Sequence, residues 1–112
     1  ILILTFLSFS FSLQAQNVVG AWETYFTTIE GEQLRSVVIF TDKYQVQTTY
    51  NANTGEFKDT NGGSWSLSGN IMTEKVEFDS KNTDRVGSET SFRFPTKNHE
   101  NSIWHSFPMD SL

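Results

Sequence analysis

Strand-forming side chains recur along this chain in short runs separated by clusters of Gly, Asn, Asp and Ser. The runs cover 18–28, 34–41, 44–50, a weak one around Phe57, then 64–67, 71–78, 88–94 and 102–107. Glu30-Gly31-Glu32, Asp42-Lys43, Asn51 to Gly55, Asn61-Gly62-Gly63 and Ser68-Gly69-Asn70 punctuate them. No helical period appears beyond the first residues. Pro occurs only at 95 and 108, at the ends of the last two runs, where a missing amide donor does little harm. Short strands joined by tight turns predict an all-β antiparallel meander in one domain.

Alternation sorts the side chains into faces. Tyr44, Val46, Thr48 and Tyr50 share one face of their run, opposite Gln45, Gln47 and Thr49. Met72, Glu74, Val76 and Phe78 share another, and Thr90, Phe92 and Phe94 a third. In the last run Ile103, His105 and Phe107 oppose Trp104 and Ser106. Val37-Val38-Ile39-Phe40 is apolar on both faces and predicts a central or covered strand.

The N-terminal segment changes the expected setting. Residues 1–13 are apolar or small, and no charge precedes Glu23. Thirteen residues are too few for a membrane span, which needs ~20, but they fit the apolar core of a secretory signal. Leu13-Gln14-Ala15 before Gln16 resembles a cleavage site. The expectation is a signal peptide over 1–15, clipped at its start, and a mature domain over 16–112 that ends before a last closing strand. Export without stable membrane insertion follows, to the periplasm or the medium.

With eight basic and thirteen acidic residues, the net charge is −5. That argues against nucleic acid, which requires a positive field against its phosphates. The absence of cysteine excludes disulfides, a thiol nucleophile and a thiolate metal site.

Two segments carry a resemblance. Val18-Val19-Gly20-Ala21-Trp22 looks like the Gly-x-Trp signature that opens lipocalin and wider calycin barrels. A wide indole can plug the closed end of a barrel, and the Gly two residues earlier lets the backbone bend beside it. Gly63-Ser64-Trp65-Ser66-Leu67-Ser68-Gly69-Asn70 resembles a hairpin of small exported bacterial lipocalin-like domains. The resemblance spans roughly residues 17–94 and implies a barrel or incomplete barrel of about seven or eight strands. It also implies an envelope setting in a Gram-negative, Bacteroidota-type bacterium. Gly20, Trp22, Trp65 and Gly69 are the structural residues of the motif.

No catalytic constellation assembles from these residues. There is no Gly-x-Ser-x-Gly elbow, and His99 and His105, six apart on a loop and a strand, share no face for a metal. Glu74 and Glu77 fall on opposite faces of a regular strand. The expectation is therefore a non-enzymatic protein without a cofactor that binds a small, partly apolar molecule. Tyr44, Thr48, Tyr50, Glu74, Phe78, Phe92 and His105 are the candidate ligand contacts, as polar groups among aromatic walls. The alternative is an envelope interaction module with a filled core.

Overall fold

A computed structural model describes residues 18–94 and 104–112. The expected signal segment at 1–15, His99 and Ile103 lie outside the described residues. Seven antiparallel strands form one sheet: β1 (Gly20–Thr27), β2 (Gln33–Phe40), β3 (Tyr44–Asn51), β4 (Phe57–Ser68), β5 (Ile71–Asp79), β6 (Glu89–Arg93) and β7 (His105–Phe107). Their spatial order is β6-β5-β4-β3-β2-β1-β7, so the meander runs in chain order until β7 returns to flank β1. Among the described residues β6 and β7 remain the two edges, and the sheet is an incomplete barrel.

The weak run at Phe57 and the run at 64–67 are one strand of 12 residues that passes straight through Asn61-Gly62-Gly63. The sequence reading places a break there, because Gly and Asn depress strand propensity. Close backbone approach overrides that preference. A Cβ on Gly63 would lie 1.8 Å from the Lys75 carbonyl oxygen, and one on Gly62 would lie 2.5 Å from that of Gln45. A register shift between Gly62 and Gly63 marks the spot. Gly63 pairs with Val76 and Gly62 with Phe78, so Glu77 is the extra residue of a β-bulge.

The core lies on the concave face. Val18, Val38, Phe40, Trp65, Met72 and Phe94 form one buried cluster, with Trp22, Leu67, Phe92 and Trp104 packed against it. Phe94 follows β6, yet its ring meets Trp22 of β1 edge-on at 5.3 Å and Phe40 of β2 at 5.7 Å. Strands five places apart in the sheet touch through side chains only if the sheet curls. Edge-on aromatic pairs are worth ~0.5–1.5 kcal/mol each beyond their buried area. Phe40 makes a third, with Trp65 at 5.4 Å.

Both indole N–H groups of this plug are satisfied. Trp22 Nε1 donates to the Val18 carbonyl at 2.9 Å, and Trp65 Nε1 to the Thr41 carbonyl at 2.9 Å. Gly20 holds φ +136°, a region closed to residues with a Cβ, so the bend expected ahead of Trp22 is present. Gly69 opens the two-residue β4–β5 turn at φ +63°. The doubly apolar β2 has paired neighbours on both sides, and Val37 on its convex face is buried.

Candidate functional site

The aromatic plug occupies one end of the curled sheet. At the other end the concave face turns polar, because the inward positions change character along each strand. On β2 the inward series Phe40, Val38, Ser36 runs from apolar to hydroxyl. Its antiparallel partners on β3 are Gln45, Gln47 and Thr49. On β4 the inward series from the plug outward is Trp65, Gly63, Asn61, Asp59, with Gln47 opposite Asn61 and Thr49 opposite Asp59. β1 contributes Thr24 opposite Ser36. β5 contributes Asp79 opposite Asn61.

These residues line an open hollow of about 1280 Å³. Phe26 and Trp104 supply aromatic surface, and Lys81, Asn82 and Arg85 border it from the β5–β6 loop. The hydroxyls of the floor are deeply placed: Ser36 is 2% exposed and Thr49 4%, and they hydrogen-bond to each other. Among the described residues no buried side-chain nitrogen or oxygen lacks a partner. This polar floor therefore carries no unsatisfied-group penalty and can persist in a hollow.

Asp79 organises the charged side of the rim. Its Oδ1 accepts the backbone N–H groups of Lys81 at 2.9 Å and Asn82 at 2.8 Å, and its Oδ2 accepts Arg85 Nη1 at 3.1 Å. The N–H of Asn82, then that of Lys81 and the Arg85 charge, outweigh the opposing effect of burial and hold its carboxyl below the usual range. The carboxylate thus pins the loop that carries a 3-10 turn at Thr83–Arg85. The four charged lining groups, Asp59, Asp79, Lys81 and Arg85, are balanced in sign.

The residues expected to contact a ligand do not converge on this hollow. Tyr44, Thr48 and Tyr50 share a face, as alternation requires, but it is the convex one, because Gln45 and Thr49 are the buried members of β3. The turn after Phe40 decides this: Thr41 donates its N–H to the Tyr44 carbonyl around Asp42-Lys43, which pairs Phe40 with Gln45, so an inward Phe40 forces an inward Gln45. Phe78 also lies on the convex face, opposite Gly62 and away from Val76, because the bulge at Glu77 reverses the alternation. His105 pairs with Glu23 on the convex side and is exposed.

Glu74 and Phe92 do face inward, but nearer the plug. Phe92 packs against the core cluster, and Glu74 lies between Trp65 and Thr90 in the neighbouring strands. Burial raises the Glu74 carboxyl above its ordinary value, and the Arg85 charge opposes the rise. Gln47, Thr49, Asn61 and Asp79 were legible as inward residues only through the chain of hairpin registers that starts at Trp22.

The convex face carries its own cluster. The Arg35 guanidinium lies 5.3 Å from the Phe107 ring, 5.7 Å from Tyr50 and 5.9 Å from Tyr25. Its Nε donates to Glu23 Oε1 at 2.8 Å and its Nη1 to the Tyr50 hydroxyl. Arg35 on β2 therefore reaches across β1 to Phe107 and clamps the short edge strand β7.

Compared with protein-family models, with curated proteins and with solved structures, the chain matches none. No helix among the described residues is long and apolar enough to cross a membrane.

Proposed function

We propose that the protein is a non-catalytic, lipocalin-like binding protein of the bacterial envelope that holds a small, partly apolar molecule in its open hollow. One observation carries the reading: a curled sheet plugged at one end by Trp22, Phe40, Trp65 and Phe94 and open at the other over a satisfied polar floor. A preformed concavity with a few oriented polar groups beside aromatic surface is the usual form of a small-molecule site. The Gly20-Ala21-Trp22 segment supports the lipocalin-like assignment, because the glycine bend and the indole plug have the roles that motif implies. The apolar segment ahead of residue 18 supports export.

Native mass spectrometry of the protein purified from its own host tests this. The expected spectrum contains an adduct of small-molecule mass, and Gln47→Trp, which fills the hollow, loses it while the thermal midpoint is retained. A bare mass for both proteins would refute the reading. The convex face favours a second reading, an interaction module. There Ile39, Tyr44, Val46 and Phe78 line a shallow, exposed apolar groove of about 250 Å³. Loss of a co-purifying protein on Phe78→Ser, with no small-molecule adduct on either form, would select it.

A further inference from the structure

The chemistry of the hollow narrows the class of its ligand. The deepest lining side chains, Thr24, Ser36 and Thr49, are uncharged hydroxyls, each no more than 5% exposed. Half-buried Gln47 and Asn61 add two amides opposite each other on β3 and β4. An amide offers a carbonyl acceptor and two N–H donors at one site, and a hydroxyl both donates and accepts. Such a surface complements a ligand whose own groups also donate and accept, which describes a polyol. It does not suit a fatty tail, which would leave the Gln47 and Asn61 amides without the water they now face.

Charge points the same way. Asp59 and Asp79 are matched by Lys81 and Arg85 around the rim, and Asp79 and Arg85 already engage each other. A balanced rim gives no net attraction for a strongly charged ligand. Apolar lining comes from Leu34 and Ile29 and from aromatic side chains, Phe26 and Trp104 among them. An aromatic face packs well on the C–H face of a pyranose, whose rim is hydroxylated. The volume, about 1280 Å³, exceeds the ~300–1,000 Å³ usual for single small-ligand pockets, so more than one sugar unit fits.

We infer that the hollow takes a neutral oligosaccharide, hydrogen-bonded by Gln47, Asn61 and the Thr24–Ser36–Thr49 floor and stacked on Phe26 and Trp104. This rests on the hollow being the binding site proposed above.

The test is a heteronuclear NMR titration of the full chain with cellotetraose, maltotetraose, chitotetraose and, separately, laurate. The expected result is a saturable shift of the Trp104 indole N–H and of the Gln47 and Asn61 side-chain amides with at least one tetrasaccharide. Asn61→Ala and the rim variant Phe26→Ala should each weaken that binding about ten-fold, a loss of roughly 1.4 kcal/mol. Their thermal midpoints report that the fold is intact. Saturation of the same resonances by laurate and by no sugar overturns the ligand class and leaves the binding reading standing. No response to any probe, with no adduct in native mass spectra, overturns both. Sugar binding that Phe26→Ala and Asn61→Ala leave unchanged overturns the assigned site.

Discussion

Gly63→Ala is the sharpest single perturbation of this fold. The added methyl carbon would lie 1.8 Å from the Lys75 carbonyl oxygen, 2.9 Å from the Glu77 nitrogen and 3.0 Å from the Lys75 carbonyl carbon. All three are backbone atoms, so no side-chain rotation relieves the contact. Real Cβ atoms essentially never come within 3.0 Å of another heavy atom, so β4 and β5 must part by more than 1 Å at the bulge. Parting them forfeits about two ladder hydrogen bonds at ~1 kcal/mol each. It also loosens Val76, the buried residue opposite Gly63. The expected cost is about 3–4 kcal/mol, a large share of the ~5–15 kcal/mol that stabilises a typical domain. Urea titration followed by tryptophan fluorescence reads the change, and the melting midpoint should fall by about 15–25 °C. Gly69→Ala is the matched control. Its backbone is left-handed at φ +63° but no atom lies within 4 Å, so it should cost only about 1 kcal/mol. Gly63→Ala within 1 kcal/mol of the parent, or milder than Gly69→Ala, would refute the close-approach argument.

Other substitutions probe the remaining parts. Trp65→Ala removes the ring that meets Phe40 and the donor to Thr41, and should cost about 3–5 kcal/mol in the same urea assay. Arg35→Met should cost about 1–2 kcal/mol and speed amide exchange selectively in β7, because the clamp on Phe107 is lost; uniform exchange would contradict the clamp. Glu74 titrates above its ordinary 4.5 when folded, so the native state holds its proton longer and stability falls as pH rises from about that value. Glu74→Gln should therefore raise the neutral-pH midpoint and flatten that slope. Asp79 is shifted the opposite way from its ordinary 3.8. Its contribution is full above that value and is lost as pH falls through the lower folded one. Asp79→Asn should therefore remove part of the acid destabilisation, and proteolysis should reach the loop at 80–88 sooner.

Much of the architecture is decided locally. Turn residues and alternation place about seven or eight strands in a meander. The two Gly and Trp segments that carry the lipocalin resemblance mark Trp22, Trp65, Gly20 and Gly69 as structural positions. These features depend on a few adjacent residues, through pleat period and steric limits on φ. Which face of each strand looks inward depends on register, and register passes from hairpin to hairpin. Trp22 pairs with Val38, Phe40 with Gln45, and Gln45 with Gly63, so the inward side of β3 is set by a residue two strands away. The stripe Tyr44, Val46, Thr48 and Tyr50 looks like core by composition, yet the turn at 41–44 turns it outward. Only the tertiary structure decided that Phe94 reaches Trp22, that a bulge turns Phe78 away, and that hydroxyls, amides and carboxylates from five strands surround one hollow. Those outcomes depend on curvature and on backbone contacts between distant segments, which no local pattern encodes.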